Sequence, residues 1–494
     1  MAEIAARSLA RGRVGPSLPL ILGIFVYTWL LLGAPGMLGD PDTYWHIAVG
    51  RWIIAHGAVP HHGIFSATMA AAPWIAHEWL AEIAIAGVYE HFGWAGVIAA
   101  TALCVAAALA MLLRALLHTL EPAHALMASV LATAMVLPHL LARPHVLILP
   151  ILVCWATELV AARGAQRAPS LFLAPLMALW ANLHASYMLG LGLATMLTAD
   201  AILAASDRRG RLAAIRGWGQ FAALSIAAAL ITPYGIDGLL LPINLTNMSS
   251  LALIKEWQSP DFQNFQPLEL WIAFVFFAAF SLGLRLPPAR IAIVLLLLHM
   301  ALRHARYGEL LGFLAPLLLA PALAPQLAVY ATRFAVPALD RGLAGLAKPA
   351  GAGGVAIAGI VLLAVSAIPL RSDIAPRSDA ITPAEALAAV NARHIQGPVF
   401  NDYVFGGYLI FSGFEPFIDG RAELYGDAFI KRYLDAVSIV SGRLPQLLAQ
   451  YEVTWTLLSP ATPAARLLDN LPGWRRLYAD DVAVVHVRED PVSR

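Results

Sequence analysis

The chain has 494 residues, of which 60% are hydrophobic and only 13% are charged, and its mean hydropathy is +0.71. Soluble proteins contain roughly 45–50% apolar residues, so this composition excludes an ordinary soluble protein and indicates an integral membrane protein. The 32 basic and 31 acidic residues nearly cancel, which argues against nucleic-acid binding, because phosphate backbones attract a concentrated basic face. The two cysteines, Cys104 and Cys154, both lie inside apolar runs, so neither a disulfide framework nor a zinc site is expected from them.

The first apolar run, from about 18 to 38, follows three arginines, as the apolar core of a signal peptide would. A run of about twenty residues is long enough to span a bilayer, so an uncleaved anchor helix is favoured. Runs of spanning length recur along the chain and predict about eleven transmembrane helices. They lie at 18–38, 93–117, 124–142, 144–162, 169–183, 186–205, 213–232, 268–285, 287–303, 306–324 and 353–370.

Basic residues between these runs fall on alternate loops, which the positive-inside rule assigns to the cytoplasm. They are Arg7, Arg11, Arg13, Arg114, Arg163, Arg167, Arg208, Arg209, Arg211, Arg216, Arg285, Arg290, Arg333, Arg341 and Lys348. With a cytoplasmic N-terminus and an odd number of spans, the last segment lies on the outer side of the membrane. We therefore expect a transmembrane domain at 1–370 and a soluble extracytoplasmic domain at 371–494.

The first outer loop, residues 39–92, opens with the polar stretch GDPDTYWH. Asp40 and Asp42 flank Pro41, which restricts the backbone and holds the two carboxylates in an extended or turn geometry. At a membrane boundary either carboxylate suits general-base chemistry, because desolvation raises the pKa of an acid toward neutrality. For Asp42 a helix N-cap, opening the helix TYWHIAVGRWIIAHG, explains the residue equally well, but it leaves Asp40 without a role. The pair also offers oxygen ligands to a divalent cation, although two carboxylates are too few to define a metal site.

The same loop ends in PWIAHEWLAEIAIAGVYEHF, residues 73–92, whose apolar residues have roughly helical spacing and predict a helix along the membrane surface. Its His77–Glu78 pair is not a zinc-protease motif, because Ala81 stands where HExxH needs a second histidine. Glu78 either faces the same cavity as the first two acids or lies on the polar face of this surface helix. The second long outer loop, 233–267, has no strong periodicity and is a candidate for a mobile flap over a site.

The predicted topology brings polar residues from separate parts of the chain to the outer face, and function is the usual reason for such groups near a membrane. They are Asp40, Asp42, His46, Glu78, Arg143, His145, Asn182, His184, Lys255, Glu256, Arg303, His304 and Arg306. Asn182 and His184 share a tight turn between two spans, where satisfying exposed backbone groups is an alternative role for both.

Two short outer turns each combine arginine with histidine. HLLARPHVL contains Arg143 and His145, and ALRHARYGE contains Arg303, His304 and Arg306. Snorkelling to headgroup phosphates explains any single one of these arginines. Two independent turns favour an anionic ligand, such as a lipid phosphate or pyrophosphate, which a guanidinium binds in bidentate fashion.

After the last span, short β-prone runs alternate with helical patterns and predict a small α/β domain. The β-prone runs lie at 398–403, 408–411, 453–459 and 482–488, and the helical patterns at 427–440 and 464–471. The IDGR segment, with Asp419, Gly420 and Arg421, either marks a turn, as acids beside glycine often do, or closes over the membrane site from above together with Glu423. The sequence contains no GxGxxG, P-loop or GxSxG motif, so nucleotide-binding and serine-hydrolase functions lack support.

The stretches GDPDTYWHIAVGRWIIAHGAVP and HEWLAEI, in a long first outer loop of a multi-span chain, resemble membrane glycosyltransferases of the C type (GT-C). This superfamily includes protein O-mannosyltransferases and the lipid A aminoarabinose and galacturonic acid transferases. The resemblance is specific over about residues 39–90 and architectural elsewhere. It implies an α-helical polytopic membrane protein, GT-C-like, with a small C-terminal α/β extracytoplasmic domain. It also implies that Asp42 or Asp40 is the catalytic base, and that Arg143, Arg303 or Arg306 binds the phosphate of a polyprenyl carrier.

The function expected from the resemblance is transfer of a sugar from a polyprenyl-phosphate carrier to an acceptor hydroxyl at the outer face of a bacterial inner membrane. The WWDYG-type motif of oligosaccharyltransferases is absent, so asparagine-linked transfer is not expected. No cofactor is expected beyond the divalent cation considered for Asp40 and Asp42. The candidates for substrate binding are Glu78, His46, Arg143, His145, Asn182, His184, Lys255, Arg303, His304, Arg306, Asp419 and Arg421.

Two other classes of function fit parts of the pattern. A non-catalytic protein that assists polysaccharide assembly or export would hold a lipid phosphate with the same arginines. A transporter or flippase for lipid-linked sugars would need ionisable residues at mid-membrane depth and broken helices in symmetry-related halves. Neither feature is visible in the sequence, because the central parts of the predicted spans carry hardly any charge.

Overall fold

The computed structural model describes residues 16–253, 255–334, 337–370, 374, 376 and 380–489. The orientation signal of Arg7, Arg11 and Arg13 lies outside the described residues, as does the predicted domain boundary at 371. The α-helices, in chain order, are α1 (Leu18–Leu32), α2 (Asp42–His56), α3 (Trp79–Leu116), α4 (Pro122–Val136), α5 (Pro144–Leu147), α6 (Leu149–Gly164), α7 (Ala174–Leu183), α8 (Tyr187–Leu203), α9 (Arg208–Ala229), α10 (Gly235–Thr246), α11 (Pro267–Leu282), α12 (Pro288–Arg303), α13 (Gly308–Phe334), α14 (Pro337–Leu346), α15 (Ala352–Leu370), α16 (Ala384–Ala392), α17 (Gly406–Phe411), α18 (Ala422–Val437), α19 (Arg443–Gln450) and α20 (Pro463–Leu468).

Each of the predicted apolar runs overlaps at least one of these helices, which confirms a mostly helical architecture. Within the described part of the chain, three helical stretches are long and apolar enough to cross a membrane: Trp79–Leu116, Ala305–Val329 and Ala352–Leu370. The other helices are shorter or less apolar, so the number of eleven spans stays a prediction.

The first outer loop folds into α2 and the first part of α3. Helix α2 begins at Asp42 and ends at His56, because the next residue, Gly57, has a left-handed φ of 60°. Gly93, with φ 58° and ψ −155°, interrupts α3 and separates the predicted surface helix from the predicted span. A Cβ on Gly50 would lie 2.1 Å from the carbonyl oxygen of Glu82, so only glycine permits α2 to pack this closely on α3. This contact buries Glu82 against α2, whereas Glu90, later in the same helix, stays exposed and pairs with Arg51.

The second outer loop is more ordered than its sequence suggested. It contains α10 and two 3₁₀ turns, Ser249–Leu253 and Lys255–Trp257, where an aperiodic loop was expected. At its start the Tyr234 hydroxyl donates to the carbonyl of Pro60 in the first outer loop, at 2.7 Å. The Asp427 carboxylate of α18 accepts hydrogen bonds of 2.8 and 2.9 Å from two backbone N–H groups of the first 3₁₀ turn. The loop therefore bridges the first outer loop and the C-terminal part of the chain.

The C-terminal part contains a sheet of four strands in the order β1-β2-β4-β3. The strands are β1 (Val399–Asn401), β2 (Trp455–Leu458), β3 (Trp474–Ala479) and β4 (Val484–Arg488). Strands β1 and β2 are parallel, and the other two pairs are antiparallel. The α/β character is confirmed, but the strand predicted at 408–411 is the end of helix α17, and β3 was not predicted. Four apolar residues cannot distinguish a strand from a buried helical turn by periodicity, and β3 is a half-exposed edge strand with two adjacent arginines.

Helix α2 shares a hydrophobic core with the C-terminal part. Trp45, Val49 and Ile53 lie on one stripe of α2, four residues apart, and belong to the same buried cluster as Phe417 and Tyr425. The first outer loop and the C-terminal part are therefore packed directly on each other, and GDPDTYWH lies at their junction.

Candidate functional site

Asp40 and Asp42 lie at the start of α2 in different surroundings. The Asp40 side chain is 2% exposed, and its Oδ1 accepts the backbone N–H of Asp42 at 2.7 Å. The Asp42 side chain is 17% exposed, and its Oδ1 accepts the indole N–H of Trp45 at 3.0 Å. The N-cap position is Pro41, whose side chain has no acceptor, and Asp42 is the first helical residue. The Asp40 side chain binds the first N–H of the helix instead, and Asp42 keeps the more accessible carboxylate. Burial raises the pKa of Asp40 to about 7, against the opposing charge of Arg143.

Arg143 joins the two acids to the second outer loop. It immediately precedes Pro144 and has the extended backbone, φ −121° and ψ 160°, that a following proline favours. Its Nε contacts Asp40, its Nη2 contacts Asp42, and its Nη1 donates to Glu256 Oε1 at 2.6 Å. One guanidinium thus contacts three carboxylates, and its side chain remains 17% exposed.

Glu256 and Arg306 extend this network. Arg306 Nη1 lies 3.5 Å from the same Oε1 of Glu256, and the Arg306 guanidinium lies 4.7 Å from the ring centroid of Trp257. Burial raises the pKa of Glu256, but the positive charges of Arg143 and Arg306 outweigh it and lower the pKa to about 2. The structure therefore brings together Arg143 and Arg306, which the sequence placed in two separate outer turns.

Two glycines of the C-terminal part pack against the segment that carries Asp40 and Asp42. A Cβ on Gly420 would lie 1.9 Å from Oδ1 of Asp42, and a Cβ on Gly407 would lie 2.1 Å from the carbonyl oxygen of Pro41. Tyr403 donates its hydroxyl to the carbonyl of Gly420 at 3.3 Å. Burial and then the charge of Asp42 raise the pKa of Tyr403 well above its ordinary value, so this hydroxyl stays protonated. The backbone of the segment between Asp419 and Arg421 therefore lies directly over the Asp42 carboxylate.

A second cluster surrounds Glu78 with three histidines. His184 Nε2 lies 3.3 Å, His46 Nε2 3.6 Å and His77 Nε2 3.8 Å from its carboxylate oxygens. Burial raises the pKa of Glu78 and lowers the pKa of both His46 and His184. The two buried histidines are therefore neutral, and Glu78 faces them instead of solvent.

Hydrogen bonds define the state of one histidine in this cluster. His184 Nδ1 accepts the backbone N–H of Ser186 at 3.1 Å, so in the neutral ring the proton is on Nε2, which faces Glu78. His46 lies one turn after Asp42 on the same face of α2, and its Nδ1 is 3.3 Å from Glu82 Oε1. His46 therefore connects the histidine cluster to the face of α2 that carries Asp42.

Several predicted binding residues have contacts that account for them structurally. The Asn182 amide accepts from the indole of Trp79 at 2.7 Å and donates to the carbonyls of Ala178 and Ile231 at 2.8 and 2.7 Å. These bonds join α7 to α3 and to the end of α9, which is the backbone-satisfying role that the sequence left open. His145 Nε2 lies 3.9 Å from a carboxylate oxygen of Glu309, and its ring centroid lies 6.3 Å from that of His184.

The predicted binding residues of the α12–α13 turn have different surroundings, and Lys255 lies in the second outer loop. Arg303 is exposed and has no ion pair with any described residue, so it does not join Arg143 and Arg306. His304 Nδ1 lies 2.5 Å from the carbonyl oxygen of Trp257 and holds the second outer loop against this turn. Lys255 begins a 3₁₀ turn, but its side chain lies outside the described part of the chain.

Asp419 and Arg421 do not line the site, contrary to the expectation that they bind substrate. Both side chains are 0% exposed, and they form a bidentate pair with N–O distances of 2.8 and 2.7 Å. Arg421 also donates to the carbonyl of Ile64 at 2.7 Å and lies over the Trp74 ring. This buried pair fastens the C-terminal part to the first outer loop and holds Gly420 over Asp42.

Within the described residues, no group of three or more histidine, cysteine, aspartate or glutamate side chains is arranged to hold a metal ion. Both carboxylates considered for a divalent cation, Asp40 and Asp42, contact the guanidinium of Arg143 instead. A cation there would have to displace that guanidinium, so the residues present do not fit the suggested metal.

The sequence did not indicate Trp45 and Glu82 as parts of the site, and it did not assign Glu256 a role in binding. The expected closure of the IDGR segment agrees with the position of Gly420 over Asp42, but the sequence did not show that the glycine makes the contact. Their roles depend on contacts between distant segments, which periodicity and spacing do not report.

No protein-family model matches the sequence. No curated protein matches it either. Several solved structures share its fold, among them one of a transferase called ArnT and one of an oligosaccharyltransferase. ArnT from Cupriavidus metallidurans, bound to undecaprenyl phosphate, is 13% identical with a TM-score of 0.50, and the match covers 94% of this chain and 97% of that one. The oligosaccharyltransferase AglB from Archaeoglobus fulgidus, in complex with an inhibitory peptide and a dolichol-phosphate, is 9% identical with a TM-score of 0.54, over 89% of this chain and 69% of that one.

These likenesses extend over nearly the whole chain and show a common fold. At 9–13% identity they support the architecture expected from the first-loop resemblance as a likeness of fold.

Proposed function

We propose that this chain is a glycosyltransferase that moves a sugar from a polyprenyl-phosphate carrier to an acceptor hydroxyl at the outer face of a bacterial inner membrane. The observation that carries the proposal is the partly exposed carboxylate of Asp42 beside the guanidinium of Arg143, at the junction of the helical and C-terminal parts. The carboxylate can act as the general base, and the guanidinium can stabilise the carrier phosphate, so both groups that the transfer needs lie in contact.

Asp42 is the general base in this proposal. Its carboxylate takes the proton of the acceptor hydroxyl, and the hydroxyl oxygen forms a bond to the anomeric carbon of the sugar. The bond between that carbon and the phosphate oxygen breaks, and the carrier leaves as a phosphate whose new charge Arg143 and Arg306 stabilise. Asp40 is a positioning residue, since it caps α2 and contacts the same arginine.

The choice of donor is supported by the fold. Both structural neighbours were solved with a polyprenyl-type phosphate, undecaprenyl phosphate in ArnT and a dolichol-phosphate in AglB. The arginines of this chain, Arg143 and Arg306, offer the same chemistry to such a phosphate, because guanidinium groups pair with phosphate oxygens. The predicted outer location of the loops that carry them supports transfer at the outer face.

Substitution of the two acids tests the proposal. In a deletion strain complemented with Asp42→Asn, we expect the glycan added by the wild-type protein to be missing, since removing a general base slows transfer by about 10²–10⁴-fold. Asp40→Asn keeps a side-chain oxygen that can cap α2 and should retain much more transfer. The measurement compares the glycans on lipid, protein and polymer in the two strains. Wild-type glycan levels with a normally folded Asp42→Asn protein would reject Asp42 as the base.

A second candidate is a non-catalytic protein that binds lipid phosphate and assists polysaccharide assembly or export. It is favoured by one observation: both oxygens of Asp42 already have partners, Trp45 and Arg143, as in a site built only for binding. Binding of undecaprenyl phosphate without any glycan lost in the deletion strain would support this candidate over the transferase.

A further inference from the structure

Glu256 occupies the place between the two arginines where an anionic ligand would bind. Its Oε1 lies 2.6 Å from Arg143 Nη1 and 3.5 Å from Arg306 Nη1. The side chains of these three residues are 28%, 17% and 25% exposed, so the group is partly covered and still open to a ligand. An acid of the protein here makes the contacts that a phosphate oxygen would make.

The backbone beside Glu256 is held independently of its carboxylate. The Trp257 carbonyl accepts from His304 Nδ1 at 2.5 Å, and the Gln258 carbonyl accepts the backbone N–H of Ala305 at 2.9 Å. The Glu256 side chain can therefore leave the arginines by rotating about its own bonds while its backbone stays docked on the α12–α13 turn.

We infer that the Glu256 carboxylate and the carrier phosphate compete for Arg143 and Arg306, so that Glu256 limits the affinity for the lipid and assists its release. This inference rests on the proposed function. A sugar-linked carrier is a phosphodiester with one negative charge, whereas the released monoester carries about −1.5 to −2 at pH 7. The two arginines would hold the more highly charged product longer, and return of Glu256 to Arg143 opposes that.

The test measures the dissociation constant of undecaprenyl phosphate for the purified full-length protein in dodecyl maltoside micelles. Glu256→Gln has the same shape but lacks the charge, and we expect it to bind the lipid about tenfold more tightly, because a charge-assisted contact no longer competes. Glu256→Asp keeps the charge on a shorter side chain and should bind more tightly than wild type by a smaller factor. Glu415→Gln, which removes a charge from an exposed position of the C-terminal part, serves as the control and should bind like wild type.

The outcomes separate this inference from the proposed function. Tighter binding by Glu256→Gln, with stronger inhibition of transfer by added undecaprenyl phosphate, supports the competition. If wild type binds the lipid and the glutamine variant binds it equally or more weakly, the competition is overturned and the proposed function stands. If folded wild type and both Glu256 variants all fail to bind, the carrier assignment of the proposed function falls as well. The aspartate variant provides the same comparison if the glutamine variant does not fold.

Discussion

Adding one methyl group at Gly420 tests whether the C-terminal part positions Asp42. The new Cβ of Gly420→Ala would lie 1.9 Å from Asp42 Oδ1, and because real Cβ atoms essentially never approach within 3.0 Å, the two atoms must separate by about 1 Å. The segment cannot easily lift, since Asp419 and Arg421 on either side form a fully buried bidentate pair. The Asp42 carboxylate must therefore leave its present position, in which it contacts Arg143 and Trp45.

A displacement of 1 Å in a reacting group lowers the rate by about 10²-fold, whereas the overpacking itself should lower the free energy of unfolding by about 1–3 kcal/mol. We expect Gly420→Ala to remain folded in thermal unfolding and to lose most of the transfer measured in the complemented deletion strain. Gly87→Ala is the control, because a Cβ there meets no atom within 4 Å and alanine favours a helix. A folded Gly420→Ala protein with wild-type transfer would refute the role of the C-terminal part in holding Asp42.

Two further predictions concern stability. Arg421→Ala leaves Asp419 buried without its partner and should lower the free energy of unfolding by about 3–5 kcal/mol. Denaturant unfolding measures this loss. A loss below about 1 kcal/mol, the range of a surface ion pair, would show that the pair does not fasten the C-terminal part. The pKa of Asp40 is raised from 3.8 to about 7, so its contribution to stability is fully present below pH 3.8 and is lost as the pH rises through 7. Relative to Asp40→Asn, wild-type protein should therefore become less stable between pH 4 and pH 7 in thermal unfolding, and parallel curves for the two proteins would contradict the raised pKa.

The fold class was predictable from the sequence because it depends on local and averaged properties. Apolar runs long enough for helices are visible one segment at a time, and each predicted run overlaps at least one helix. The start of α2 at Asp42 follows from the Asp-Pro-Asp turn, because proline restricts the backbone there. Short or half-exposed elements were not predictable: 408–411 became the end of α17, and β3 was missed.

The candidate site was predicted only as a set of residues on one face. The sequence named Asp40, Asp42, Arg143 and Arg306, because polar groups beside apolar runs stand out in a chain that is 13% charged. It also named Arg303, Asn182, Asp419 and Arg421, which are just as polar, and the structure gives these exposed or structural positions.

Only the tertiary structure decided which of the two acids in GDPDTYWH is buried as a cap and which remains accessible, since that depends on Arg143 and Gly420, about 100 and 380 residues away in the chain. The physical reason is that ion pairing and burial are set by distances between segments, while sequence pattern reports hydrophobicity and backbone preference along one segment. The sequence by itself indicated a helical membrane protein with a polar loop at 39–92. The packing of the C-terminal part on α2 determined that Asp42, in contact with Arg143, is the more accessible of the two acids.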